Sequence, residues 1–108
     1  MSHLRLNVIL VGLLVLPGIV HAATEHRVRQ KNKTFSVVTL SIKPGDRVTF
    51  ENDDQITHNV YSAQKGNAFN LKAQLPGTSS SVTFDREGTY EVRCAFHPRM
   101  KLLVVVKD

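Results

Sequence analysis

The sequence predicts an all-β fold, an antiparallel β-sandwich of about seven short strands. Three observations predict it. Beyond residue 22 no stretch shows the periodicity of a long amphipathic helix. Short β-rich runs are instead separated by turn signals, Lys43-Pro44-Gly45-Asp46, Pro76-Gly77-Thr78-Ser79 and Asp85-Arg86-Glu87-Gly88. The whole chain has only 108 residues, enough for one modest core.

The elements follow in order. Phe35–Ile42 alternates, but its apolar residues change phase between Val37 and Val38, which marks a bulge or a change of sheet. Arg47–Glu51 resumes after the first turn, with Val48 and Phe50 on one face. Asn52-Asp53-Asp54-Gln55 is a polar loop, and Thr57–Ser62 is a short strand. Ala63–Gln74 is the least regular part and reads as a helical turn or a loop excursion. Ser81–Phe84 points Val82 and Phe84 inward; Thr89–Cys94 aligns Tyr90, Val92 and Cys94; Leu102–Val106 is the last strand.

Residues 1–22 have the layout of a cleavable secretory signal. A short basic start ending in Arg5 precedes an apolar run from Leu6 to Leu16, Pro17-Gly18 breaks it, and Val20-His21-Ala22 offers small residues at the −3 and −1 positions of a cut. The run is shorter than the roughly 20 residues that span a bilayer. Cleavage after Ala22 would leave residues 23–108 as one exported domain, in the periplasm and without stable membrane insertion.

The net charge is +5, with basic residues scattered apart from a cluster at Arg27–Lys33. An exported protein does not routinely meet nucleic acid, and no aromatic–basic interleaving supports that partner. A solvated basic surface is the plainer reading; steering toward an acidic partner is the sharper one.

Cys94 is the single cysteine, which excludes an internal disulfide and every site needing two thiols from one chain. A free thiol is a liability in an oxidising compartment. Here it lies in Cys94-Ala95-Phe96-His97-Pro98-Arg99-Met100, with a second imidazole upstream at His58. Thiolate, two imidazoles and a weak thioether form the ligand set of a mononuclear electron-transfer copper site. Thiolate favours Cu(I), imidazole suits both oxidation states, and a long, weak thioether bond adds so little donation that the potential stays up. The two-residue gaps allow one tight loop to present Cys94, His97 and Met100, and Pro98 stiffens it.

Rival readings of the same residues stay open at this level. Zinc accepts Cys and His but rarely a thioether. Cys94 could be a buried core thiol and Met100 core filler, and His58 a packing histidine. His26 beside Glu25 and Arg27 reads as solvated. A multicopper centre would need more histidines, haem attachment needs Cys-x-x-Cys-His, and Cys94 with His97 on one loop is poor geometry for nucleophilic hydrolysis.

Four stretches carry a family resemblance: Lys43-Pro44-Gly45-Asp46-Arg47-Val48-Thr49-Phe50-Glu51-Asn52, His58-Asn59-Val60, Gly88-Thr89-Tyr90-Glu91-Val92-Arg93-Cys94 and His97-Pro98-Arg99-Met100-Lys101. Together they resemble the small blue copper proteins, the cupredoxins of the plastocyanin, pseudoazurin and amicyanin group. The Cys-x-x-His-x-x-Met spacing resembles the short amicyanin loop, with Phe96 standing where such loops usually have Pro. The resemblance implies a Greek-key sandwich binding one copper ion through His58, Cys94, His97 and Met100. It implies that Asn59 ties the ligand loops together, its backbone N–H near the Cys94 sulfur, and that the outer edge of His97 is the electron port. The expected function is a monomeric, non-enzymatic one-electron carrier between a donor and an acceptor redox protein. A copper-binding protein for tolerance or delivery, working with copper-handling proteins, is the alternative, and a metal-free adhesion sandwich a third.

Overall fold

The computed structural model describes residues 22–108. The predicted signal, residues 1–22, lies outside the described residues except for Ala22. Nine strands follow one another: β1 (Glu25–Lys31), β2 (Thr34–Phe35), β3 (Thr39–Ile42), β4 (Asp46–Asn52), β5 (His58–Ser62), β6 (Phe69–Gln74), β7 (Ser79–Phe84), β8 (Gly88–Cys94) and β9 (His97–Val106). They make two sheets, ordered β2-β1-β4-β7 and β3-β9-β8-β5-β6. The inner faces close on one core. Strand alternation builds it: β9 turns Met100, Leu102, Val104 and Val106 inward, and β4 turns Val48 and Phe50 inward. An aromatic chain runs through the core, Phe35–Phe50–Phe69–Phe84–Tyr90, with successive ring centroids 6.4, 6.2, 5.8 and 5.6 Å apart.

The predicted sandwich stands, with three refinements. The sheets are mixed, because β1 runs parallel to β4 and β3 parallel to β9. The phase change after Val37 is a change of sheet: β2 pairs with β1 while β3 pairs with β9. The expected count is about seven; the six runs named as strands become nine because Phe35–Ile42 splits there and because β1 and β6 also form strands. Only Val28 is an apolar residue fully buried on the inward side of β1, where Gln30 is also fully buried and His26 half-buried. Its outward side carries Arg27 and Arg29, which pair with Glu51, and Arg29 also reaches Asp53. The basic cluster is thus partly neutralised across strands.

Of the stretch Ala63–Gln74, expected as a helical turn or a loop excursion, residues 63–68 are a loop and 69–74 form an edge strand. Its register against β5 jumps from Asn59↔Ala73 to Tyr61↔Asn70. Leu71 and Lys72 therefore oppose the single residue Val60, with Lys72 at φ 61°. That bulge breaks the alternation on which a strand prediction rests.

One polar clamp fixes the start of β1 against the start of β4. The Asp46 carboxylate accepts the backbone N–H groups of Thr24 and Lys43, each at 3.0 Å, and faces His26 Nε2 at 3.0 Å. The Pro44–Gly45 turn delivers it there, with Gly45 at φ 90° and Asp46 N–H bonded to Lys43 O at 3.0 Å. Burial pushes the Asp46 carboxyl up, but the hydrogen bonds from His26, Thr24 and Lys43 and the His26 charge outweigh it and hold it at about 2.

The folded-state value lies below the unfolded one, so the clamp's contribution is complete above the ordinary carboxylate pKa and disappears as pH falls toward 2. Asp46→Asn is expected to cost about 2 kcal/mol at neutral pH. The gap between parent and variant should close as the pH of urea denaturation is lowered through that window. An unchanged gap at acid pH would show that the carboxylate charge is not what the clamp uses.

Candidate metal centre

The site lies where β5, β8 and β9 meet. β5 begins with His58, β8 ends with Cys94, and β9 begins with His97. His97 is therefore a strand residue, rather than part of a loop between strands. Cys94 and His97 oppose each other across the two-residue turn Ala95–Phe96. The next regular pair is Arg93↔Lys101, so Pro98, Arg99 and Met100 are an excursion of β9 with no counterpart on β8. Proline is tolerated there because no ladder N–H is required of it. Arg93 spans the excursion, its Nη1 donating to Pro98 O at 3.1 Å.

Three ligand atoms converge. His58 Nδ1 lies 3.8 Å and His97 Nδ1 3.6 Å from Cys94 Sγ. All three lie within 4.8 Å of one another. Metal bonds of about 2.0–2.3 Å, opened by a tetrahedral or trigonal angle, place nitrogen and sulfur about 3.5–3.8 Å apart. The cluster thus fits a single ion. His58 and Cys94 are buried and His97 half-buried, with the two rings 5.0 Å apart at 66°. Burial, the His58 charge and Lys33 hold His97 below the usual histidine value, against the opposing pull of Asp54. A neutral imidazole keeps its lone pair for a metal. Met100, the fourth predicted ligand, is 1% exposed and faces the core from β9 beside Leu102 in the alternation.

Asn59 binds the parts together. Its backbone N–H donates to Cys94 Sγ at 3.3 Å, and its side-chain oxygen accepts Ala95 N–H at 3.3 Å. Its amide group donates to Asn70 Oδ1 at 2.8 Å and Lys72 O at 2.9 Å, which anchors the β6 bulge.

Sequence reasoning missed Asp54. Its Oδ2 lies 2.6 Å from His58 Nε2, the ring nitrogen turned away from Cys94. Asn52 shapes the loop that brings it there: its Oδ1 accepts Asp54 N–H at 2.9 Å, and its Nδ2 donates to Ile56 O at 2.9 Å and Gln74 O at 2.8 Å. Burial pushes the Asp54 carboxyl up, but the hydrogen bonds from His58, Lys33 and Asn32 prevail and hold it below the usual carboxylate value. The one signal available was an acid four residues before a candidate ligand, and in a loop that spacing carries no fixed geometry.

Residues 22–107 match the family described as copper binding proteins, plastocyanin/azurin family. The chain is 34% identical over 87 residues to methylamine utilization protein MauL of Methylophilus methylotrophus, covering 76% of this chain and 50% of that one. It is 35% identical over 77 residues to amicyanin of Paracoccus denitrificans, covering 68% of this chain and 58% of the relative. It thus spans about half the length of these relatives. Among solved structures it resembles a purple cupredoxin from Nitrosopumilus maritimus, with TM-score 0.68, 28% identity and coverage of 76% and 99% of the two chains. Fold, cluster and matches agree, and the chain belongs to the plastocyanin/azurin family of copper binding proteins.

Proposed function

We propose that this protein carries single electrons in the periplasm on one copper ion, which His58, Cys94 and His97 would hold with Met100 as a weak fourth ligand. The observation that carries this reading is the convergence of one thiol and two imidazole nitrogens within 4.8 Å. Copper, when bound, supplies the one-electron couple. The chain's residues do the rest. Cys94 and His58 exclude water from the inner side, and the ladders and Asn59 hold the donors in place for both oxidation states. Small rearrangement between states is what makes electron exchange fast.

His97 is the one half-buried member of the cluster and lines a shallow surface groove with Phe96, Pro98, Lys33 and Arg99. Its outer edge is the electron port. Phe96, 57% exposed, offers a partner apolar contact beside that port. Export rests on the signal layout of residues 1–22. The likeness to a methylamine utilization protein favours partners within methylamine utilisation. Copper delivery would require the buried thiol and His58 to open for release, so the buried, prearranged cluster favours a resident ion.

Cu(II) added to the mature protein should produce an intense blue or green thiolate-to-copper absorption with a matching EPR signal. A colourless protein would overturn the reading. Cys94→Ser is expected to abolish the colour. Met100→Leu is expected to keep it while raising the midpoint potential, and spectroelectrochemical titration reads that shift. An unchanged potential would remove Met100 from the ligand set.

A further inference from the structure

The feature of the site that its copper-binding role leaves unused is Asp54. Its carboxylate takes three N–H groups: Asn32 N at 2.7 Å on Oδ1, and Lys33 N at 3.0 Å and His58 Nε2 at 2.6 Å on Oδ2. The His58 side chain is fully buried and that of Asp54 is 11% exposed. The two backbone donors come from the β1–β2 turn, where Lys31 pairs with Thr34 and the two central residues, Asn32 and Lys33, have φ of 53° and 58°. Such a turn points successive N–H groups outward, and here they close on one carboxylate. Asp54 is fixed from behind by its own N–H on Asn52 Oδ1.

We infer that Asp54 is a positioning residue for the copper couple: by accepting His58 Nε2–H it sets the ligand's tautomer and ring plane, and its negative charge biases the site toward Cu(II). The inference rests on the copper reading above. Its physical basis is charge. A carboxylate hydrogen-bonded to the far nitrogen of a ligand imidazole makes that imidazole a stronger donor. Cu(II) with one thiolate carries a net positive charge that the carboxylate offsets. Cu(I) with one thiolate is neutral, and the same carboxylate leaves an uncompensated negative charge in a buried site. The arrangement therefore lowers the potential. It acts in the same sense as any donation from the Met100 thioether, whose loss in Met100→Leu raises the potential. The same carboxylate holds the turn that presents Lys33 in the groove beside His97.

Asp54→Asn is nearly isosteric and keeps one acceptor for His58 while removing the charge. In copper-loaded protein it should keep the thiolate absorption and lower the ratio of Cu(II) to Cu(I) affinity about tenfold, which for a one-electron couple is a rise of about 59 mV. Asp54→Glu should return the potential toward the parent value, a rescue that a merely structural role would not show. A coloured Asn variant with the parental potential, or Glu and Asn variants shifted equally, would overturn the inference. Should Asp54→Asn not fold, nuclear magnetic resonance of the parent Cu(I) protein still decides. The His58 ring is expected to carry its proton on Nε2, slow to exchange; a rapidly exchanging or absent Nε2 proton would overturn it. A parent protein that gives no colour with Cu(II) refutes the copper reading instead.

Discussion

The site depends on Asn59 more than on any ligand. β5 and β8 share one regular pair, Tyr61↔Arg93, so ladder bonds alone do not set His58 against Cys94. Asn59 supplies the missing connection. Its backbone donates to the sulfur, its side-chain oxygen holds Ala95, and its side-chain nitrogen holds the β6 bulge. A hydrogen bond to a thiolate also withdraws electron density from the sulfur, so the residue that positions Cys94 also tempers its donation. One residue thus joins three strands and the ligand turn.

Around it the buried polar side chains form a connected set. Gln30 Nε2 donates to Gln74 Oε1 at 2.6 Å, Gln74 Nε2 donates to Phe50 O at 2.6 Å, and Asn52 donates to Gln74 O. Gln74 is the strand partner of His58, and Asn52 shapes the loop that carries Asp54. A buried amide that finds its partners in one register alone penalises every other register, because an unpaired buried polar group is costly. These residues therefore bind the first sheet to β6, the strand paired with His58, and fix its slip. The opposite end of β1 is held by the Asp46 carboxylate and by Thr49 Oγ1, which donates to Glu25 Oε1 at 2.7 Å.

The sandwich was legible because most inward positions follow a two-residue period, as in Val48/Phe50, Val82/Phe84 and Tyr90/Val92/Cys94. The sheet change between Val37 and Val38 left a visible phase break. β1 was hidden because glutamine and histidine take inward places where a pattern expects apolar residues. β6 was hidden because a bulge interrupts its period. In the site, the Cys94–His97–Met100 spacing and the single thiol made the donor set legible, and His58 stood out beside Asn59. Asp54 did not, since its position depends on an Asn52-capped loop and on a turn of another strand. Contacts that join distant segments through side chains leave no spacing to read.

The two-residue turn between Cys94 and His97 divides the protein's evolutionary freedom. Neither Ala95 nor Phe96 contributes a donor atom to the cluster, and strand pairing sets Cys94 and His97 opposite each other. Substitution at position 96 can therefore change the outline offered to other molecules while the redox chemistry beneath is inherited intact. Lengthening the turn would have no such neutrality, since the two donors would lose their shared register. Partner choice can change through side-chain replacement at this tip, whereas an insertion there would alter the pairing of Cys94 with His97.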